Sequence, residues 1–250
     1  MAKIICLLAF LLLVPFVFSS CSRRVVTVYY EEKAQIELLS SRNKRILIDV
    51  YDSSVLSRPQ NNSDILLTTH THSDHYNFSF YYDFEGTSLF VREGKIESDD
   101  IHIRSIFGGH SDADPYKNEN GSNYIFIIDM DDLRIVHFGD LGQESLSSEQ
   151  LAAIGEVDVA IMQLFNPYSM MDLANKKGFN LMNQINPKLI IPTHITSEAA
   201  QLAHTIWECN YSNAKAVRIN KRNLGEQTQL LFLGKNASEY GSLTRAKEWK

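Results

Sequence analysis

Short apolar runs, each bounded by polar or turn-forming residues, fill the first half of the chain beyond its N-terminal segment. Residues 34, 36 and 38 are apolar and alternate with polar neighbours, as in a strand with one buried face. Several other runs are rich in β-branched and aromatic residues. These patterns predict strands at residues 25–30, 34–38, 45–50, 65–69, 88–91, 101–106, 124–129 and 134–138, with hairpin turns near residues 41–44 and 130–132.

Helical and strand patterns alternate in the second half. Residues 147–154 open with Ser147 and Ser148, which is typical of a capped helix. Residues 157–162 are continuously apolar, as a buried strand is. Further helices are predicted at residues 169–185, where Gly178 interrupts the pattern, and 197–209, and further strands at 189–191, 216–219 and 228–233. The sequence shows no repeat, linker or low-complexity tract, so the pattern predicts one α/β domain.

The first twenty residues have a different character. Lys3 precedes an apolar stretch over residues 4–18, and small residues follow it. This order is typical of a secretory signal, and the stretch is shorter than the ~20 residues of a membrane-spanning helix. We therefore expect residues 1–20 to be a signal peptide and residues 21–250 to be the exported domain.

The end of this segment, Phe18-Ser19-Ser20-Cys21, resembles the lipobox of bacterial lipoproteins, although that family usually has Leu where Phe18 stands. The resemblance implies that a lipid on Cys21 anchors the protein to the membrane of the cell envelope. Cys6 would leave with the signal, so Cys209 would remain as a lone thiol. Two alternatives stay open: an uncleaved membrane anchor, and a soluble secreted form with a disulfide between Cys21 and Cys209.

Composition and charge restrict the class of partner. The chain has 250 residues, of which 44% are hydrophobic and 22% charged, as in ordinary globular proteins. Its net charge is −6, and no run of Lys or Arg offers a patch for a phosphate backbone. We therefore do not expect nucleic acid as a partner. The pattern defines no oligomeric state.

Residues 70–75 carry the clearest chemical signal. They read His70-Thr71-His72-Ser73-Asp74-His75, which crowds three imidazoles and a carboxylate into six residues at the end of a predicted strand. Such crowding is unfavourable without a cation. Imidazole and carboxylate are ligands for Zn²⁺ and similar ions. The sequence therefore predicts a metal site here, and the alternative is a solvated polar loop.

Three more candidate ligands, His110, Asp140 and His194, each lie at or just beyond the end of a predicted strand. Two of them are in glycine-containing turns, where the backbone can bend to aim a side chain. Asp49 ends another predicted strand, and its alternative role is to initiate a turn. We expect the remaining histidines of predicted elements, His102, His137 and His204, to be packed or surface residues.

This order of motifs resembles the metallo-β-lactamase superfamily, in which an Asp ends an early strand, HxHxDH follows, and His, Asp and His come after later strands. The resemblance implies a four-layer αββα sandwich and two divalent metal ions, zinc in the first place, with manganese or iron as alternatives. It implies that His70, His72 and His110 hold the first ion, that Asp74, His75 and His194 hold the second, that Asp140 bridges them, and that Asp49 fixes a ligand histidine through a hydrogen bond.

The implied chemistry is hydrolysis. A hydroxide shared by the two ions would attack an ester, lactone or phosphodiester, and Asp74 would orient it or carry its proton. Residues 136–142 and 189–194 look most like the branch that contains ascorbate-phosphate lactonase and N-acyl phosphatidylethanolamine phospholipase D. Export favours a small-molecule or lipid-like substrate. Asn123 and Tyr168 are further residues that could reach a substrate. The alternatives are a non-catalytic metal-binding envelope lipoprotein and a nuclease.

Overall fold

The structure is a computed structural model that describes residues 24–30, 33–110 and 122–249. The predicted signal peptide and Cys21 lie outside the described residues, so cleavage and lipidation stay predictions. Across the described ranges, no helix combines the length and apolar character needed to cross a membrane.

Two β-sheets face each other and form the centre of the described part of the chain. The smaller sheet has six strands among the described residues, in the spatial order β13 (Ala216–Ile219), β1 (Val26–Tyr30), β2 (Ile36–Leu39), β3 (Arg45–Ile48), β4 (Ile65–Thr68) and β5 (Thr87–Phe90). Strands β1, β2 and β3 are antiparallel neighbours, whereas β3, β4 and β5 run parallel.

The larger sheet has nine strands within the described ranges, in the order β15 (Lys247–Glu248), β12 (Glu208–Ser212), β14 (Gln229–Leu233), β11 (Leu189–Pro192), β10 (Val159–Met162), β9 (Leu133–His137), β8 (Ser122–Met130), β7 (Ile101–Gly109) and β6 (Gly94–Ser98). Strands β9, β10, β11 and β14 run parallel, so their carboxyl ends meet at one edge. Loops at such an edge are the usual place for a site.

Helices cover the outer faces of both sheets. The described residues form α1 (Phe78–Tyr82), α2 (Ser148–Ile154), α3 (Lys177–Ile185), α4 (Ser197–His204) and α5 (Ala237–Thr244). Ser147 caps α2 through a reciprocal pair of hydrogen bonds with Gln150, which satisfies the free N–H groups of the first turn.

Alternation along the central strands produces the layers. On β8, Phe126 and Ile128 belong to the core between the sheets, while Ile125 and Ile127 pack in the cluster that contains Phe179 of α3. Successive side chains of a strand point to opposite faces, so one apolar strand supplies both cores.

The smaller sheet repeats this arrangement. Ile46 and Ile48 of β3 face the core between the sheets, whereas Leu47 joins a separate cluster against which Phe80 and Phe84 pack. Helix, sheet, sheet and helix thus follow one another. The predicted αββα sandwich is confirmed.

The helix predicted at residues 169–185 is wrong in its first half, because α3 begins at Lys177. Met170 has a left-handed φ of 52°, and Met171 forms an isolated bridge with Asn166. The Asp172 carboxylate accepts hydrogen bonds from the backbone N–H groups of Ala174 and Asn175, each at 2.8 Å. Such side-chain bonds compete with helix formation.

The helix predicted at residues 197–209 is too long. Helix α4 ends at His204, and Cys209 lies in β12, opposite Leu230 of β14. The residues around Cys209 form a strand because they pair with β14, some twenty residues further along the chain. No local sequence pattern reveals this pairing. Strands β6, β12 and β15 and helices α1 and α5 were not predicted as such.

Candidate metal centre

The candidate ligands lie where strands of both sheets end. Asp49 follows β3, His70 follows β4 after one residue, and His110 follows β7 directly. Asp140 and His194 come just after β9 and β11. Because these strand ends lie at one edge of the sandwich, residues up to 145 positions apart in sequence become neighbours.

Glycines let the loops approach each other closely at this edge. Gly139 has a left-handed φ of 56°, and a Cβ there would overlap Asn123 and Thr69. A Cβ on Gly142 would overlap the carbonyl of His110. Larger residues would therefore push the Asp140 loop away from its neighbours.

Two groups of ligand atoms result. His70, His72, His110 and Asp140 form the first, and Asp74, His75 and His194 form the second; the ligand atoms of each group lie within 4.8 Å of one another. A backbone hydrogen bond of 2.9 Å from the N–H of His75 to the carbonyl of His72 closes a turn between the groups. This turn explains how one hexapeptide serves two positions.

Asp140 lies between the two groups and turns one oxygen to each. Its Oδ2 is 3.8 Å from Nε2 of His70 and 3.7 Å from Nε2 of His110. Its Oδ1 is 3.2 Å from Nε2 of His75 and 3.5 Å from Nε2 of His194. The cluster can thus bind metal on both sides of one buried carboxylate.

Asp49 is fully buried and orders the histidines from behind. Its Oδ2 lies 2.8 Å from Nδ1 of His75 and accepts from the Thr69 hydroxyl at 2.7 Å. A carboxylate only accepts, so the Nδ1 of His75 carries a proton and its Nε2 points at Asp140.

The same reasoning fixes the tautomer of His70. Its Nδ1 lies 3.0 Å from Oγ1 of Thr69, whose only proton goes to Asp49. We therefore assign the proton of His70 to Nδ1, which leaves the lone pair on Nε2. That Nε2 is buried and has no hydrogen-bond partner among the described residues. An unpaired buried acceptor beside a carboxylate fits a metal ligand.

Further polar residues hold Asp140 in place. Asn166 donates a hydrogen bond of 2.8 Å to its Oδ2 and another of 2.7 Å to Gln163. The Asn123 amide oxygen accepts from the backbone N–H of Asp140 at 3.0 Å. Asn123 is fully buried, so it supports the ligand loop and does not line the substrate pocket. The sequence analysis missed Thr69, Gln163 and Asn166, whose roles exist only after folding.

The electrostatics of the cluster favour a cation. Burial opposes charge on His75, but Asp49 and Asp140 outweigh it and raise its pKa to about 10. Burial, together with neighbouring His75, holds the pKa of His70 well below its usual value. Burial alone would raise the pKa of Asp140, but its contacts with His75 and the other histidines lower it. A metal ion bound to Nε2 of His75 would replace the proton between this nitrogen and Asp140, while Nδ1 keeps its hydrogen bond to Asp49.

The other histidines match their expected roles. His102 is exposed on β7 and pairs with Glu97, and His204 is exposed at the end of α4. His137 is buried, with Nε2 3.2 Å from the carbonyl oxygen of Ala34. None of the three lies in the metal groups.

An open cleft of about 600 Å³ leads to the cluster. Four residues of the two ligand groups line this cleft: His72, Asp74, Asp140 and His194. The rest of its wall comes from Lys33, Ser73, Phe165, Asn166, Pro167, Tyr168, Ile195 and Thr196. Tyr168, one of the two further residues suggested by the sequence, therefore does line the cleft.

A family model described as the beta-lactamase superfamily domain matches residues 29–194 of the chain. This range contains Asp49 and all seven residues of the two ligand groups. The chain belongs to the beta-lactamase superfamily.

Curated relatives of this superfamily member are archaeal proteins named UPF0173 metal-dependent hydrolase. The protein of Thermococcus onnurineus is 24% identical over 196 residues, covering 68% of this chain and 84% of the relative. That of Thermoplasma acidophilum is 28% identical over 176 residues, covering 60% and 75%.

Solved structures agree on the fold. A metallo-beta-lactamase superfamily protein from Thermotoga maritima aligns with a TM-score of 0.61 at 17% identity. The alignment covers 83% of this chain and 99% of that protein. A metallo hydrolase from Ignicoccus hospitalis aligns with a TM-score of 0.55 at 16% identity, covering 78% and 99%.

The predicted enzyme class is confirmed at this level: the protein is a metal-dependent hydrolase of the metallo-β-lactamase superfamily. The resemblance to the lactonase and phospholipase branch stays a prediction.

Proposed function

We propose that the protein is a dinuclear hydrolase that cleaves an ester, lactone or phosphodiester bond. The observation that carries this proposal is the position of Asp140, whose two oxygens face two separate groups of imidazoles at 3.2–3.8 Å. A carboxylate in that position suits a bridge between two cations. A single ion would leave one set of histidines without a function.

The two ions would be held by separate sets of side chains. His70, His72 and His110 would hold one, Asp74, His75 and His194 the other, and Asp140 would contact both. These nitrogen and oxygen donors suit zinc, and they also accept manganese or iron. When bound, two such ions lower the pKa of a shared water towards ~7 and polarise a substrate oxygen.

Asp74 is the residue that we assign to the proton of the attacking water. Its side chain is 31% exposed in the cleft, and its Oδ2 lies 3.9 Å from Nε2 of His194. From this position it can orient the water and accept its proton. The buried bond between Asp49 and His75 keeps the neighbouring imidazole aimed in one direction, so little reorganisation is needed during reaction.

A substrate-class screen of the purified protein tests this function. We expect hydrolysis of at least one aryl ester, lactone or phosphodiester, loss of that activity on chelation, and recovery on adding zinc, manganese or iron. His72→Ala removes an exposed ligand that lines the cleft and should abolish turnover. His204→Ala is the matched control, because His204 is exposed at the end of α4 and lies in neither ligand group.

Three outcomes would count against the proposal. Activity that survives chelation and His72→Ala would place the chemistry elsewhere. Tight metal binding without turnover on any of the three substrate classes would favour the alternative of a non-catalytic metal-binding protein. Cleavage of single-stranded nucleic acid, weakened by salt, would favour a nuclease.

We also propose that the protein is exported and anchored by a lipid on Cys21. The support is the order of Lys3, the apolar stretch and the Phe18-Ser19-Ser20-Cys21 segment. Mass spectrometry of the mature N-terminus tests it. A thioether-linked diacylglycerol on Cys21 is the expected result, whereas a free cysteine or a disulfide with Cys209 would contradict it.

A further inference from the structure

The cleft has two unlike walls, which come from different sheets. Lys33 stands in the turn between β1 and β2 of the smaller sheet. Phe165, Pro167 and Tyr168 follow β10 of the larger sheet, and Ile195 follows β11. Lys33 is the only Lys or Arg among the described residues that line the cleft. One wall therefore offers a positive charge, and the other offers apolar surface.

The lysine lies at the cleft in a turn that continues into β2. Its φ is 53°, and its Nζ lies 4.6 Å from the centre of the Tyr51 ring. The next two residues are buried and hydrogen-bonded. The carbonyl oxygen of Ala34 lies within hydrogen-bond distance of Nε2 of His137. The Gln35 side chain forms hydrogen bonds of 2.9–3.1 Å with the backbone of residues 51 and 52. Lys33 is exposed and forms no ion pair with a described residue. Its charge is thus available to a ligand.

The apolar wall is tied to the metal centre. The Asn166 side chain accepts from the backbone N–H of Tyr168 at 3.0 Å and donates to Asp140. Tyr168 is nevertheless 87% exposed, so the chain presents a large aromatic ring to solvent beside the ligands. A ring in that position at a cleft suits contact with an apolar part of a ligand.

We propose that the hydrolase acts on a small substrate that carries one anionic group, bound by Lys33, and an apolar group that packs on Phe165, Tyr168 and Ile195. This inference rests on the proposed function and names its substrate class. One lysine suits a single carboxylate or phosphate group, whereas a polyanion would need several cations. The scissile bond would then lie between the two walls, above Asp140.

Equilibrium binding of unreactive ligands tests this proposal without turnover. We would titrate the protein, both with metal and after chelation, with 4-phenylbutyrate, 3-phenylpropylphosphonate and the neutral 4-phenylbutanamide. We expect at least one anion to bind about tenfold more tightly than the amide. Lys33→Gln should remove this preference in the metal-free protein, where no bound cation contributes to anion binding. Lys95→Gln is the matched control, because Lys95 is exposed on β6, outside the cleft.

The two anions separate the possible sources of charge. Tighter binding of the carboxylate would assign a carboxylic acid, and tighter binding of the phosphonate a phosphate ester. Tyr168→Ala should weaken all three ligands by a similar factor. In the metal-free protein, an anion preference that survives Lys33→Gln, or the absence of an anion preference in the wild type, would overturn the proposal. Lys33-dependent binding without hydrolysis of any ester, lactone or phosphodiester would refute the proposed function, while the class of ligand that the cleft binds would still be assigned.

Discussion

Buried or partly buried carboxylates lie at both ends of the central strands, but the groups that pair with them differ. At the amino ends of β9, β10 and β11, the cluster that we call the floor contains Asp158, which lies 2.8 Å from Lys221 and 3.1 Å from Lys188. Arg134 pairs with Asp129 in the same cluster, at 2.7 Å. At the carboxyl ends, the seven ligand residues form the cluster that we call the rim.

The floor and the rim differ in the source of the positive charge that balances their carboxylates. Asp158 and Asp129 at the floor each pair with a lysine or arginine of the chain, so side chains of the protein itself balance these two negative charges. At the rim, Asp140 contacts four imidazoles and the Asn166 amide but pairs with no lysine or arginine of the described residues, and the buried Nε2 of His70 has no hydrogen-bond partner among them. Ligand atoms left open around a carboxylate indicate a site for an added cation, whereas paired charges indicate structure. Substitutions at the rim should therefore reduce metal binding and activity, whereas substitutions at the floor should reduce only the free energy of unfolding.

The largest effect is expected at the centre of the rim. Asp140→Ala removes the carboxylate between the two ligand groups, so kcat/KM should fall by about a thousandfold or more, corresponding to several kcal/mol of lost transition-state stabilisation. Steady-state kinetics on the best substrate, with metal content measured on the same sample, checks this. Retention of both metal and activity would remove the distinction between rim and floor.

An intermediate effect is expected behind the rim. Asp49→Asn keeps an acceptor for Thr69 but loses the carboxylate that orients His75, so metal affinity or activity should fall about 10- to 100-fold. Competition with a chromophoric chelator measures the affinity. Asp83→Asn, an exposed carboxylate outside the cluster, is the matched control. Equal affinities for the two variants would show that Asp49 is a structural turn residue.

The smallest effect is expected at the floor, and it should appear in stability alone. Burial raises the pKa of Asp158, but its bonds with Lys221, Arg134 and Lys188 outweigh this and lower it below the usual 3.8. A lowered pKa in the folded protein means that the stabilisation is present above pH 3.8 and is lost as the pH falls through the folded value.

Asp158→Asn should therefore reduce the free energy of unfolding by about 1–2 kcal/mol at pH 7, and the difference should shrink below about pH 4. Denaturant titrations at several pH values measure it. Metal content and kcat/KM should stay at wild-type levels. A loss of metal from this variant would contradict the separation of the two clusters.

Sequence patterns predicted most of this molecule where the information is local. Alternation and apolar runs located β1, β3, β4 and β9 to within two residues at each end. The rim ligands were predictable because imidazoles and carboxylates at strand ends must converge once parallel strands share an edge. Their roles as ligands stay predictions until metal is measured.

The remainder depends on contacts that sequence does not display. Residues 169–176 have helical spacing, but the side chains of Asn166 and Asp172 satisfy the backbone differently. Cys209 enters a strand because β14 lies beside it. Thr69 matters because its hydroxyl donates to Asp49 and accepts from Nδ1 of His70, and Lys33 matters because a turn places it at the cleft. Each of these follows from tertiary packing.

The most direct measurement of the central claim is a calorimetric titration of the metal-free protein with Zn²⁺. The arrangement of Asp140 between two groups of imidazoles predicts two equivalents per chain. Saturation at one equivalent, or no binding, would contradict it.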